Sequence, residues 1–360
     1  MVTAISVSSA MTSTPPPNVL PPYAGLTPDL VLDALESLGL ACTGGLLPLN
    51  SYENRVYQIG IEGGAPLIAK FYRPGRWSDA QILEEHAFVA ELAEHEIPVV
   101  AALTFDTGNT LHCFGGFRFA VFPRKGGRAP NLDDKEVLEW LGRFMGRIHA
   151  VGALTPFVQR PALDIDSFGF EPRDWLLGHD FIPANLKDAW TSVVAQALDD
   201  AGRCYERAGK VRTIRLHGDC HIGNVLWTEG SASVGNNIVN AGGPHFVDFD
   251  DARNGPAMQD LWMLFPSDKT ERKPLVDAVL RGYEDFCEFD DRELHLIEAL
   301  RTLRLLHYSA WLARRWDDPA FPAAFPWFNS QRYWEERVQE LREQIGLMQE
   351  SERPLANGQV

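Results

Sequence analysis

The feature that most constrains the fold of this chain is a change in hydrophobic periodicity near residue 125. Before it, short runs show the period of two that is typical of β-strands. After it, apolar residues recur every three to four positions, as in amphipathic helices. A strand-rich part, a glycine-containing connector at 123–127 and a helical part together predict an α+β fold with two lobes and a cleft between them.

The first part contains the elements of a small, mostly antiparallel sheet and one helix. Ser78 and Gln81 form a capping-box pattern, which predicts a helix from there to about His95. A turn at Gly63 and Gly64 separates two of the predicted strands. The four predicted strands cover 55–61, 67–72, 100–105 and 117–122.

The second part is predicted to be mainly helical. The helices cover 133–150, 186–208, 273–288 and 293–316, and strands are confined to 214–226 and 245–249. The Gly-, Ser- and Asn-rich segment 228–244 predicts a surface insertion. The predicted units are a flexible Pro-rich tail (1–24), an N-lobe (25–125), a helical C-lobe (126–348) and a flexible tail (349–360).

The acidic balance of the 360-residue chain limits its partners. Lys and Arg number 33 against 49 Asp and Glu, so the formal net charge is −16. Such a chain lacks the broad positive field that nucleic-acid binding requires. No apolar run approaches the length of a membrane-spanning helix, the N-terminus has no secretory signal, and the five scattered cysteines fit reduced thiols. We therefore expect a cytoplasmic monomer without nucleic-acid or membrane partners.

Residues 217–224, His-Gly-Asp-Cys-His-Ile-Gly-Asn, carry the strongest functional signal. They place Asp219 and Asn224 five positions apart, the interval of the kinase catalytic loop H-R-D-x-x-x-x-N. That interval allows the carboxylate to face a substrate hydroxyl while the amide oxygen faces a metal on the phosphates. An isolated pair of this kind is common, and His217 and His221 suggest a metal pair as an alternative. The glycines favour a loop, so we interpret His217 as bracing it by hydrogen bonds.

Asp248 is the next candidate. The run Phe-Val-Asp-Phe at 246–249 predicts a carboxylate buried among apolar neighbours at a strand end. Burial of a carboxylate is costly unless it binds a positive group, and Mg²⁺ on ATP is the natural candidate.

Lys70 ends an apolar strand, in the position of the strand lysine that contacts ATP phosphates in kinases. A lysine there is otherwise a solvated edge charge. The following helix carries Glu84 and Glu85, one of which can pair with Lys70 and hold it extended. Glu85 is preferred because it shares an inward face with Val89 and Leu92, and Glu84 stays open as the alternative.

The loop 50–55 lies where a kinase has its phosphate-binding loop. It contains no G-x-G-x-x-G motif, so Ser51 and its neighbours would supply hydroxyl and amide donors to the phosphates. A plain polar hairpin turn is the alternative for each residue taken singly. Four such elements in the right order indicate a phosphotransferase more strongly than any one of them.

The motif H-G-D-x-H-x-x-N, followed by an aspartate-containing strand, resembles the aminoglycoside phosphotransferase and choline kinase family of protein-kinase-like enzymes. Within that family, the chain is most similar to bacterial serine/threonine protein kinases of the stress response. The resemblance runs from about 27 to about 344. The blocks that carry it are 49–58, 70–74, 82–86, 216–221, 250–257, 259–264, 310–316 and 318–322.

This resemblance implies ATP as co-substrate, Mg²⁺ as cofactor and transfer of the γ-phosphoryl group to Ser or Thr hydroxyls of a protein, including itself. A kinase acting on an aminoglycoside, choline-like or sugar substrate is the alternative. The implied roles are catalytic base for Asp219, Mg²⁺ ligands for Asn224 and Asp248, ATP contacts for Ser51 and Lys70, and anchoring of the catalytic loop for Asp260.

The predicted helix 293–316 bears on the choice of acceptor. Its aromatic residues among cations suit a phosphate or an acidic peptide better than a polycationic drug. Nearby carboxylates would suit a polycation, but we expect most of them to pair with arginines. The helix residues are Arg301, Arg304, Tyr308, Trp311, Arg314 and Arg315, and the carboxylates are Asp250, Asp251, Asp317 and Asp318.

Overall fold

The predicted two-lobed α+β architecture is confirmed. An antiparallel sheet forms the first lobe, and helices dominate the second. The structure is a computed structural model that describes residues 21–106, 108–229, 242–266 and 268–350.

The first lobe is built on five strands, β1 (Cys42–Leu49), β2 (Arg55–Ile61), β3 (Leu67–Phe71), β4 (His112–Phe114) and β5 (Phe117–Pro123). They lie in the order β1-β2-β3-β5-β4, and every neighbouring pair is antiparallel. Lys70 pairs with Val56 on one side and with Ala120 on the other. The candidate lysine therefore stands in the central strand, with its backbone held from both sides.

Two strands of this sheet differ from the prediction. The run 100–105 is not a strand, and Leu103 donates a backbone hydrogen bond to Val121 (2.7 Å). An apolar run alone does not distinguish a strand from a buried connection, which is why the prediction was wrong there. Strand β1 was missed because it contains Gly44 and Pro48 and is exposed at most positions, so it lacks an alternating pattern.

The described part of this lobe, residues 21–106 and 108–123, has two helices rather than the predicted one. Helix α1 (Pro28–Glu36) begins at Thr27, whose hydroxyl accepts a hydrogen bond from the backbone N–H of Leu30 (3.2 Å). Proline at the first helical position is favourable because its missing N–H has no partner there in any case. The residues that α1 buries against the sheet are Val31, Ala34 and Leu35.

Helix α2 (Asp79–Glu94) confirms the capping box of Ser78 and Gln81, with both of its hydrogen bonds formed. The predicted inner face is also confirmed. Its buried side chains include Ile82, Glu85, Val89 and Leu92.

The second lobe contains eight helices within the described residues. They are α3 (Lys135–Gly152), α4 (Glu171–Gly178), α5 (Lys187–Ala208), α6 (Met258–Leu261), α7 (Lys269–Tyr283), α8 (Ile297–Ala313), α9 (Ala320–Ala324) and α10 (Gln331–Glu350). Two short antiparallel ribbons accompany them. They pair β6 (Ile214–Leu216) with β9 (Arg253–Gly255), and β7 (Val225–Thr228) with β8 (Gly243–Phe246).

Helices α4, α6, α9 and α10 were not predicted, and β9 lies outside the two segments to which strands were predicted to be confined. The predicted strand 214–226 is interrupted. It divides into β6, a loop, one turn of 3₁₀ helix (Ile222–Asn224) and β7. Strand β8 ends at Phe246, so Asp248 lies beyond it, with a left-handed backbone (φ 62°).

Helices α3 and α7 pack closely because each has glycines on the face that contacts the other helix. A Cβ at Gly142, Gly146 or Gly282 would lie 2.0–2.4 Å from a backbone oxygen of the opposite helix. This approach brings His149 of α3 within hydrogen-bond distance of the Tyr283 hydroxyl of α7 (3.0 Å).

Most of the predicted insertion 228–244 lies outside the described residues, as does most of each predicted tail. The two ends of the insertion, Thr228 and Gly243, pair with each other. Tyr23 stacks on Phe117 of the sheet (centroid distance 6.4 Å). Within the described ranges, no helix combines the length and the apolar character needed to cross a bilayer.

Candidate active site

The loop 217–224 is held from beneath by one carboxylate. Asp260, fully buried in α6, accepts hydrogen bonds from the backbone N–H groups of His217 and Gly218 (both 2.8 Å). Its Oδ2 atom also lies 3.1 Å from Nε2 of His149. The carboxylate thus satisfies two buried backbone donors that water cannot reach. The anchoring role predicted for Asp260 is confirmed.

His217 and Gly218 also tie this loop to the segment that follows β8. The His217 Nε2–H donates to the backbone oxygen of Val247 (2.9 Å), which confirms its predicted bracing role. Gly218 has φ +87°, and a Cβ there would lie 2.0 Å from the backbone oxygen of Asp251. The Val247 N–H in turn donates to the backbone oxygen of Asn224 (3.0 Å). The two segments therefore form one unit.

Asp219 is oriented by side chains on both sides. Its Oδ1 atom forms an ion pair with Nη2 of Arg304 in α8 (2.7 Å), and its Oδ2 atom lies 3.6 Å from Nε2 of His221. Burial lowers the pKa of His221, so this ring is mainly neutral at pH 7. Asn224 donates from Nδ2 to the backbone oxygen of Asp219 (2.9 Å), which leaves its Oδ1 oxygen for another partner.

The burial predicted for Asp248 was wrong. Its side chain is 53% exposed, because the left-handed turn directly after β8 directs it away from the core, whereas the side chain of Asp250 is 5% exposed. The sequence places Asp250 among the carboxylates near the acceptor that are expected to pair with arginines, and it does pair with Arg76. The signal that would have found it is its position two residues after Asp248 in the same short segment.

Lys70 joins the two aspartates. Its Nζ atom lies 3.0 Å from Oδ1 of Asp248 and 3.2 Å from Oδ1 of Asp250. Arg76 bridges Oδ2 of Asp250 (2.5 Å) and Oδ1 of Asp251 (2.7 Å). Burial opposes the charged form of Lys70, but Asp248 and Asp250 raise its pKa well above the usual value. Burial also opposes ionisation of Asp250, yet Arg76 and Lys70 lower its pKa to about 2.

The predicted pairing of Lys70 with a helix glutamate needs correction. Glu85 is buried and its charge raises the pKa of Lys70, but its carboxylate forms its salt bridge with Arg160 (3.0 Å). Glu84 accepts three backbone N–H groups of residues 158–160 (2.6–2.9 Å). Among the described ion pairs, neither glutamate is joined to Lys70, because Arg160 and the aspartates satisfy these charges first.

The loop between β1 and β2 is held by a residue that sequence analysis missed. The buried Glu53 carboxylate accepts from Nε1 of Trp311 (2.6 Å) and forms an ion pair with Nε of Arg315 (2.6 Å). Arg76 (3.4 Å) and Arg73 (3.7 Å) also approach it. No local pattern marks Glu53, since Trp311 lies 258 positions away.

A cavity of about 440 Å³ opens between the lobes. It brings together four of the predicted site residues, while Lys70 reaches it through its ion pairs with Asp248 and Asp250. Glu85 lies behind this wall with Arg160. The predicted residues in the wall are Ser51, Asp219, Asn224 and Asp248, joined by Arg76, Asp250, Arg304, Tyr308 and Trp311.

Known proteins are similar in sequence to this chain over most of its length. The sequence profile of the phosphotransferase enzyme family matches residues 45–297. Stress response kinase A of Salmonella choleraesuis (strain SC-B67) is 43% identical over 328 residues, which cover 91% of this chain and 95% of the relative. The serine/threonine protein kinase RdoA of Salmonella typhimurium (strain LT2) has the same identity and coverage. Stress response kinase A of Escherichia coli (strain K12) is 44% identical over the same shares.

Solved structures share the fold. The amicoumacin kinase hAmiN, in complex with AMP-PNP, Ca²⁺ and Ami, aligns with a TM-score of 0.66 at 20% identity over 92% of this chain and 95% of that chain. A microcompartment-associated aminopropanol kinase aligns with a TM-score of 0.63 at 18% identity over 89% of this chain and 96% of that chain. The family resemblance carried by the sequence motifs is thereby confirmed, and the chain belongs to the phosphotransferase enzyme family.

Proposed function

We propose that the protein is an ATP- and Mg²⁺-dependent kinase that phosphorylates serine or threonine hydroxyls of protein acceptors, itself among them, in a bacterial stress response. The observation that carries this proposal is the convergence of Ser51, Asp219, Asn224 and Asp248 on one cavity, with Lys70 ion-paired at its edge. The names of relatives that are 43–44% identical over 91% of the chain support the acceptor class.

The oxygen donors at the cavity fit a magnesium ion. Asp248 offers an exposed carboxylate, and Asn224 offers an amide oxygen because its nitrogen is committed to the backbone of Asp219. Mg²⁺ in kinase sites takes one or two such protein oxygens together with phosphate oxygens. When bound, the ion would neutralise phosphate charge. Lys70 stays protonated beside its aspartates and offers a second positive charge.

Ser51 and its loop would contact the phosphates in place of a glycine-rich loop. The wall of the cavity includes Ser51, and the adjoining Glu53 holds the loop against Trp311 and Arg315 of the C-lobe. A loop positioned in this way orients donors before the nucleotide binds, which lowers the entropy lost on binding.

Asp219 would orient the acceptor hydroxyl and take its proton late, because the transition state of phosphoryl transfer is loose. The ion pair with Arg304 (2.7 Å) holds the carboxylate in one orientation. An incoming hydroxyl therefore shares Asp219 with this guanidinium. Catalysis then rests on positioning and on charge neutralisation by the surrounding groups.

The test is incubation with Mg-ATP and generic protein acceptors, followed by mass spectrometry of the acceptors and of the protein itself. We expect phosphoserine or phosphothreonine with the unaltered protein and none with Asp219→Ala, whose nucleotide binding stays nearly intact. Asp248→Ala should also weaken Mg²⁺-dependent nucleotide binding. Asp277→Ala, on the exposed face of α7, is the matched control.

Two outcomes would contradict the proposal. Transfer at the unaltered rate by Asp219→Ala would refute the assignment of the base. Phosphate that appears only on an added aminoglycoside, amino alcohol or sugar alcohol would favour the small-molecule alternative.

A further inference from the structure

A second cavity, of about 780 Å³, adjoins the candidate active site. It lies between α8, α10 and the segment that follows α6. Arg304 and Tyr308 line both cavities, and Arg304 is the ion-pair partner of Asp219. The second cavity therefore adjoins the first at these two side chains, one of which is paired with the proposed catalytic base. We call this second cavity the α8–α10 groove, lined by Trp262, Phe265, Arg301 and Arg337 among others.

Arg301 gives the α8–α10 groove an anion-binding group. It is buried, it donates from Nη2 to the backbone oxygens of Phe265 (2.7 Å) and Pro266 (2.8 Å), and its guanidinium lies 5.4 Å from the ring centroid of Trp262. Its Nε and Nη1 atoms have no hydrogen-bond partner among the described residues. A guanidinium stays charged in proteins, and its buried donors carry an energetic cost as long as they lack acceptors. A ligand that offers carboxylate oxygens would remove that cost.

Among the described residues, no carboxylate forms a salt bridge with Arg301. Glu298, whose charge acts on Arg301, forms its salt bridge with Arg272 (2.7 Å). Arg337 pairs with Glu340 (2.5 Å), and Glu343 is exposed, where solvent and salt screen its charge.

We propose that the α8–α10 groove binds an acidic segment of the protein acceptor, with Arg301 contacting an Asp or Glu beside the phosphorylated Ser or Thr. This inference rests on the proposed function and names its acceptor class. Arg301 and Arg304 lie three positions apart on α8, which places their Cβ atoms about 5–6 Å apart. An extended peptide advances about 3.3 Å per residue, so the acidic residue lies about two to four positions from the acceptor hydroxyl.

The test uses the full-length protein, Mg-ATP and serine-centred peptides that differ at one of these positions, with Glu, its isostere Gln or Lys. We expect a KM for the best Glu peptide on the order of tenfold lower than for its Gln counterpart, as for a hydrogen bond to a charged group. Arg301→Gln should abolish this difference, so that the Glu and Gln peptides give equal KM values. Arg301→Lys, which keeps the charge without the planar fork, should be intermediate.

Arg332→Gln is the matched control, because this arginine of α10 has a side chain that is 86% exposed and should leave the preference intact. The comparison of the Glu and Gln peptides on the unaltered protein shows whether the protein prefers an acidic residue, even if Arg301→Gln is unstable. Equal KM values for the two peptides would overturn the groove assignment and leave the protein-kinase proposal standing. An acidic preference that survives in a folded Arg301→Gln protein would overturn the role of Arg301. If the protein phosphorylates none of the peptides, none of the generic acceptors and not itself, the proposed function is refuted, and this inference with it.

Discussion

The two loops of the candidate site are each held by one buried carboxylate, but by different partners. In the loop 217–224, Asp260 accepts from the backbone N–H groups of His217 and Gly218 (both 2.8 Å). In the phosphate-loop candidate, Glu53 contacts the side chains of Trp311 and Arg315 (both 2.6 Å). One loop is joined to its support through the main chain, the other through long side chains of the opposite lobe.

This difference indicates different mechanical properties. Backbone hydrogen bonds to a buried carboxylate are lost when the loop itself unfolds, so the loop 217–224 belongs to the core of the C-lobe. The contacts of Glu53 depend on the relative position of the two lobes, since Trp311 and Arg315 lie in or just after α8. Substitution of Asp260 should therefore reduce both stability and phosphoryl transfer, whereas substitution of Glu53 should mainly reduce the affinity for the nucleotide.

The largest expected effect is that of Asp260→Ala. The substitution leaves the His217 and Gly218 N–H groups buried without an acceptor. We expect the unfolding free energy to fall by about 3–5 kcal/mol and phosphoryl transfer to be lost. Urea denaturation and a transfer assay measure the two effects. Asp277→Ala, exposed on α7, serves as control and should change neither. Full activity per folded molecule in Asp260→Ala would show that the anchor is dispensable for the loop.

Glu53→Gln should have the next largest effect. The amide keeps the shape of the side chain but removes the charge that Arg315, Arg76 and Arg73 share. We expect the KM for ATP to rise on the order of tenfold and the unfolding free energy to fall by about 2 kcal/mol, with kcat at saturating ATP changed little. Glu62→Gln, in the exposed turn after β2, is the matched control. A fall in kcat with unchanged KM would place Glu53 in the chemical step and erase the contrast between the loops.

The loop 217–224 was largely predictable because its candidate residues are close in sequence. The spacing of Asp219 and Asn224 and the bracing by His217 follow from one contiguous motif. The anchoring by Asp260, which lies outside that motif in α6, follows from the family resemblance. The central strand that carries Lys70 was visible from its apolar pattern.

The partners of these residues were not predictable, because they come from distant parts of the chain. Lys70 meets Asp248 across 178 positions, and Glu53 meets Trp311 across 258. Local patterns contain no information about such pairings. Asp248 is exposed and Asp250 is buried because the backbone of Asp248 is left-handed. This conformation is uncommon for residues other than glycine, so the sequence gives no sign of it.

The stability that the ion pairs of Asp250 contribute should also depend on pH. The pKa of Asp250 is lowered to about 2 by Arg76 and Lys70, whereas an unfolded aspartate titrates near 4. The unfolded chain therefore binds the proton first, so about 2 kcal/mol of stability is present above about pH 4 and is lost as the pH falls towards 2. Urea unfolding at a series of pH values should show a shallower acid slope for Asp250→Asn. Equal slopes in the variant and the unaltered protein would mean that other carboxylates carry this dependence.

The smallest expected effect tests whether the phosphate-loop candidate also has a main-chain anchor. The Tyr23 hydroxyl donates to the backbone oxygen of Glu53 (2.9 Å) and lies 3.3 Å from that of Phe71. Burial raises the pKa of Tyr23, so the phenol stays protonated and remains a donor. Tyr23→Phe should therefore cost about 1 kcal/mol of stability and raise the KM for ATP about twofold, with Tyr57→Phe in β2 as control. A rise as large as that of Glu53→Gln would mean that the main chain holds both loops, and that the side-chain contacts of Glu53 with Trp311 and Arg315 are secondary.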